Sequence, residues 1–283
     1  MQTVFLGLLL VAVLSLLATA PQSRLRERLR TAPSLVWAAP PVLTAIFASA
    51  SLLAGAFTWR LTAAVLFYTL VPVIAAWRRQ DLLTVLLLWL PIELAAGQSL
   101  VPVPARGFLH SVAYGIAILL GLVLFLGYRA LPGMKYQAPQ TKRDLWLPLV
   151  GFLVVAPVLV AVGIAIGFIP PPHLPVQPAG KMAAAVGIIF AGTALPEEIL
   201  FRALIQNLLM QRLGETTRSL LLASVIFGAA HLDNGPQALP NWRYMIEATI
   251  AGVVYGKVFQ RSDSICSSAI LHTLVDWTKH FWF

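Results

Sequence analysis

Apolar residues run along this chain in blocks too long for the interior of an ordinary water-soluble domain. A helix needs roughly 20 such residues to cross about 30 Å of hydrocarbon. Blocks of that kind fall at 2–20, 34–57, 61–76, 82–99, 107–127, 145–169, 182–210, 219–232, 245–260 and 264–282, with the fourth, eighth and ninth short or interrupted. The pattern predicts an all-α, polytopic transmembrane helical bundle of about ten spans. The Pro-rich stretch from Ile169 to Pro175 separates N-terminal helices, residues 1–178, from a chemically denser core, residues 179–283, that holds the last four spans. His173 in that stretch is expected to be solvated.

Composition agrees with the pattern. The 283 residues are 59% hydrophobic and only 11% charged, where a soluble domain carries about 25% charged residues. A net charge of +9 raises the question of nucleic acid. Its distribution answers no, because the basic residues sit in short segments between apolar blocks rather than on one soluble face. With the N-terminus placed outside, the inward segments carry Arg24, Arg26, Arg28, Arg30, Arg78, Arg79, Arg129, Lys135, Lys142, Arg143, Arg212, Arg218, Lys257 and Arg261. The outward segments carry only Arg60, Arg106, Lys181, Arg243 and Lys279. That bias follows the positive-inside rule and places both termini outside. The lone cysteine, Cys266, excludes a disulfide framework and a thiolate cluster.

Three features of the front half qualify this picture. Ala18-Thr19-Ala20 mimics a signal-peptidase site, but no basic region precedes it and Pro21 follows it, so the first block is read as a retained helix. Ser23 to Arg30, rich in arginine, is read as an inward loop touching anionic lipid. Glu93 and His110 are read as hydrogen-bonded or interfacial residues near helix ends.

The chemistry lies in the core. Glu197, Glu198 and Arg202 interrupt the apolar run from Met182 to Met210. A charge at bilayer depth costs several kcal/mol, about 2.5–3.5 on insertion scales, so three together mark a functional site. Side chains at i and i+4 share a helix face, which pairs Glu198 with Arg202. Glu197 points about 100° away, above Phe201, and is the candidate general base or acid. Phe227-Gly228-Ala229-Ala230-His231 puts an imidazole near the end of the next span, with small residues that admit a close neighbour. His272 and Asp276, again at i and i+4, put an imidazole and a carboxyl on one face of the last span. Polar groups in a bundle face its interior or a wet cavity, so these spans are expected to converge on one cavity.

Glu197-Glu198-xxx-Arg202, Phe227-xxx-His231 and His272-xxx-Asp276, in that order, resemble the CPBP family of intramembrane proteases, which includes the CAAX prenyl proteases and bacterial Abi relatives. The resemblance covers roughly residues 180 to 280. It implies an intramembrane endopeptidase acting on a membrane-associated protein or peptide in the lipid bilayer, with no nucleic acid involved, in a cell membrane of prokaryotic type. By position it assigns Glu197 and His231 to activating water, His272 and Asp276 to stabilising the oxyanion, and Glu198, Arg202 and Phe227 to support. The family commonly has Asn where this chain has Asp276, and an ionised Asp accepts hydrogen bonds only. Asp276 must then be protonated, orient His272 or help bind a metal. Glu197, His231 and His272 also form a reasonable zinc set with one open position. A glutamate-type mechanism without a required cofactor is preferred here, since none of the motifs is HExxH. Two other functions use the same buried cluster: a proton-coupled transporter with a Glu/His relay, and a non-catalytic membrane scaffold or immunity protein.

Overall fold

A computed structural model describes residues 1–93, 107–235 and 239–283, and every regular element among them is helical. The side chain of Glu93 lies outside the described residues. The chain forms two compact units, Met1–Gly133 and Met134–Phe283.

The first unit contains α1 (Gln2–Ser15), α2 (Thr19–Thr31), α3 (Pro33–Leu53), α4 (Trp59–Trp77), α5 (Asp81–Glu93) and α6 (Phe108–Tyr128). The segment expected as an arginine-rich loop is helix α2, bent 81° from α1. Its short apolar stripe explains the fold. Leu25 and Leu29, one turn apart, pack on Gly127, where an added Cβ would lie 2.7 Å from Leu29 Cδ1. Arg26 donates to the Leu126 carbonyl at 2.9 Å, while Arg24 and Arg28 stay exposed. Arg129 grips Asp81 through two bonds of 2.7 and 3.1 Å. His110 sits on α6 with its ring 6.4 Å from that of Tyr114.

The second unit contains α7 (Lys142–Ala165), α8 (Ala179–Leu213), α9 (Thr217–Ala229), α10 (Trp242–Arg261) and α11 (Ile265–Trp282). A polar knot fixes the start of α11. Buried Asp144 accepts from the backbone N–H groups of Gln140, Thr141 and Asp263 at 2.9, 3.0 and 2.8 Å. Ser267 donates to the Asp144 carbonyl at 2.8 Å. The Lys135 ammonium donates to the carbonyls of Phe259, Gln260 and Ser262, at 2.9, 3.0 and 2.7 Å, satisfying groups that the end of α10 leaves open. Burial lowers the pKa of that ammonium, and the three carbonyl bonds favour its charged form. His173 is exposed, and its backbone N–H donates to the Trp282 carbonyl at 2.9 Å.

The count of about ten spans is not reached. Among the described residues, five helices are long and apolar enough to cross a membrane: α3, α4, α6, α7 and α8. The bent α1–α2 pair would make a sixth. The shortfall has plain causes. The first block breaks after Ser15, and α5 and α9 are short apolar helices. α10 is diluted by Arg243, Glu247, Lys257 and Arg261, and α11 by Asp276, Lys279 and its hydroxyl side chains. The five helices still make this an integral membrane protein.

Helices α9 and α10 lie closest where glycine removes a side chain. A Cβ on Gly228 would lie 2.6 Å from the Met245 carbonyl oxygen and overlap the Thr249 hydroxyl. On the facing side, a Cβ on Gly252 would lie 3.3 Å from Ser224 Cα. Because backbone cannot yield as a flexible side chain does, Gly228→Ala is expected to destabilise the second unit by about 1–3 kcal/mol through overpacking. Thermal melting of the purified protein in detergent checks this, with Gly7→Ala, where nothing lies within 4 Å of the added Cβ, as the control expected to cause no loss of stability.

Candidate active site

The central helix α8 does not wind uniformly. Its α-helical turn Leu195–Glu198 lies between π-type stretches, Phe190–Ala194 and Ile199–Gln206. Pro196 has no N–H to give to the helical ladder, so the winding is loosened where the two glutamates sit. π-type turns recur at functional sites because the extra residue re-aims side chains.

Glu198 and Arg202 are both fully buried, and Arg202 Nε donates to Glu198 Oε2 at 3.2 Å. The other guanidinium nitrogens, Nη1 and Nη2, have no hydrogen-bond partner among the described residues. Aromatic faces take their place, since the guanidinium carbon stands 4.8 Å from the Phe227 ring centroid and 5.9 Å from that of Tyr255. The second oxygen of Glu198 is also used. His272 Nδ1 lies 3.1 Å from Glu198 Oε1. A carboxylate paired with arginine only accepts, so Nδ1 carries the hydrogen and donates. Glu198 therefore joins Arg202 on its own helix to His272 on another, a link that helix spacing alone does not predict.

This leaves His272 Nε2 facing Asp276 Oδ2 at 3.5 Å and Glu197 Oε2 at 3.8 Å. Glu197 and Asp276 are partly open, at 22% and 30% side-chain exposure, whereas His272 is enclosed. One imidazole thus gathers three carboxyl groups, two from α8 and one from its own helix. The Tyr255 ring stacks on it at 4.7 Å, and the Phe227 ring meets it edge-on at 5.8 Å.

His231 is buried just past the end of α9. Its Nδ1 lies 2.8 Å from the Phe227 carbonyl oxygen. A carbonyl cannot donate, so Nδ1 carries the hydrogen and Nε2 is the acceptor of the neutral ring. The Phe227 ring links the motifs physically, meeting His231 at 4.8 Å, Phe201 at 4.9 Å and His272 at 5.8 Å. The Tyr244 ring covers the other side of His231 at 4.5 Å.

His231, His272 and Asp276 line a cavity of about 70 Å³. That volume admits a small number of waters, each needing some 10–15 Å³ by the same measure. Three further polar residues line it that the motifs do not include: Tyr244 and Glu247 from α10, and Lys279 from α11. One signal for two of them was in the sequence. Tyr244, Glu247, Ala248, Ala251 and Tyr255 recur at spacings of three and four, the period of a single helix face. Among the described residues, no three His, Cys, Asp or Glu side chains converge as a metal's ligand set would. In the proposed zinc set Glu197 and His272 are adjacent, while His231 is tied to the Phe227 carbonyl.

No curated protein and no solved structure matches the chain. Residues 179–278 match the family model described as Type II CAAX prenyl endopeptidase Rce1-like. The matched segment includes all three motifs, so the similarity to that family lies in this core.

Proposed function

We propose that the protein is an intramembrane endopeptidase that hydrolyses a peptide bond of a membrane-associated protein or peptide, in a prokaryotic inner membrane with both termini outside. The family match supports a protease of this type. The observation that carries the residue-level reading is the gathering of Glu197, Glu198 and Asp276 around His272, beside a cavity that His231 also lines.

In this reading Glu197, with the Nε2 lone pair of His231, takes a proton from a cavity water as the water oxygen bonds to the scissile carbonyl carbon. His272 donates to the oxygen that becomes negative. The C–N bond then breaks, and the proton held by Glu197 passes to the leaving amine. Asp276 accepts only when ionised, so its role is to orient His272 and balance its charge over the 3.5 Å contact. Glu198 fixes His272 from the other side and offsets Arg202. The reading is glutamate-type and needs no metal.

Glu197→Ala and His231→Ala are each expected to lower cleavage by about 10²–10⁴-fold with the fold intact, as for the loss of a general base. Cleavage of a peptide library by purified protein, read by mass, together with circular dichroism, checks this. Full activity in Glu197→Ala would sink the mechanism. Transport across proteoliposomes without hydrolysis would instead favour the proton-relay function. Incubation with a zinc chelator is expected to leave the rate unchanged, and a loss reversed by added zinc would overturn the metal-free reading. Glu198→Ala should lose stability as well as activity, by about 3–5 kcal/mol, because Arg202 is left buried without a counter-charge. A normal melting temperature for that variant would contradict it.

A further inference from the structure

Two oppositely charged side chains face the cavity without belonging to any of the three motifs. Glu247 comes from α10 and Lys279 from α11. They do not pair. Lys279 Nζ has no carboxylate oxygen within 4.0 Å and no hydrogen-bond acceptor among the described residues. It rests instead over two aromatic faces, 4.1 Å from the Tyr244 centroid and 4.4 Å from that of Phe168. Ring faces attract the charge but cannot take up three N–H donors as oxygen does. Glu247 is only 6% exposed, and its Oε1 has no hydrogen-bond partner among the described residues. A half-open chamber with an unused donor and an unused acceptor on its walls is suited to a ligand that offers both.

Lys279 also stands at a junction. With Phe168, Tyr244 and Asp276 it lines a second, wider cavity of about 780 Å³ whose other wall is the apolar face of α8 formed by Ala185, Ile188 and Ile189. A group bound at Lys279 therefore has the reactive histidines on one side and an apolar trough on the other.

The charges around Lys279 narrow the choice of anion. Asp276 lies one helical turn before it, and Glu247 faces the same chamber, so a dianionic phosphate meets two repulsive neighbours where a carboxylate carries half the charge. A peptide carboxylate also brings a neighbouring backbone N–H, the donor that Glu247 Oε1 needs. We propose that Lys279 and Glu247 form a subsite for a peptide carboxylate, with the carboxylate on Lys279 and the adjacent N–H on Glu247. The carboxylate comes from a free C-terminus or an acidic side chain. This deepens the endopeptidase reading and rests on it for the choice of a peptide as ligand.

The test uses binding, so that it stands apart from catalysis. The full-length Glu197→Gln protein in nanodiscs is titrated into a fluorescein-labelled Leu/Ala peptide, followed by anisotropy. Three forms are compared: the free acid, the C-terminal amide, and an amide with one internal Asp. A carboxylate form is expected to bind roughly tenfold tighter than the plain amide, the effect of one charge-assisted hydrogen bond. Preference for the free acid identifies the terminus as the source, and preference for the Asp peptide identifies the side chain. Adding Lys279→Met should erase the preference, whereas Lys279→Arg should keep part of it. Glu247→Leu should weaken all three forms several-fold. Equal binding of all forms, no binding of any, or a preference that survives Lys279→Met would overturn the subsite. An unchanged affinity in Glu247→Leu would remove Glu247 from it. If Lys279→Met melts early, the Lys279→Arg comparison decides. A wild-type protein that binds these peptides but cuts none of a library would refute the endopeptidase reading and leave the subsite standing.

Discussion

The second unit depends on one carboxylate. Glu198 joins a guanidinium on its own helix to an imidazole on another, with bonds of 3.2 and 3.1 Å in surroundings from which solvent is excluded. Removing either partner takes a hydrogen bond from a buried carboxylate, at a cost of about 1–3 kcal/mol or more for a charged group. Because both oxygens are used, α8 and α11 are locked at the level of the motif. His272 is thereby held with a defined hydrogen on Nδ1 and a defined face toward Glu197 and Asp276. The arrangement around His272 is a consequence of how one buried charge is neutralised.

A second constraint sets the start of α11. Asp144, Lys135 and Ser267 knit the chain before α7, the end of α10 and the first turn of α11. From there to His272 is about five residues, so roughly one and a half turns of helix carry the register from knot to site. Glycines at 228 and 252 bring α9 and α10 together on the other side, which places Phe227 where it can touch both histidines.

Much of this was legible in the residues. Long apolar blocks specify helices in a membrane, and the contact of Glu198 with Arg202 follows from i, i+4 spacing even where the winding turns π-type. The link from Glu198 to His272 was not legible, because it joins residues 74 apart in sequence. The span count was overread because an apolar average does not register a break such as that after Ser15, nor the charged positions of α10. Lys279 looks like an ordinary helix-surface residue in sequence, and only packing shows that it shares a chamber with Glu247, which helix periodicity places on one face with Tyr244 and Tyr255.

The aromatic rings around Arg202 and Lys279 have a consequence for the economy of charge in the site. Phe227, Tyr255, Tyr244 and Phe168 act as a fixed solvent for two cations, offering the negative faces of their quadrupoles where water or a carboxylate would otherwise stand. Unlike water, these rings do not reorient or exchange protons. The acids nearby are thus spared from serving only as counter-ions, and in the proposed mechanism a proton exchanged among Glu197, His272 and Asp276 meets a positive background that stays constant.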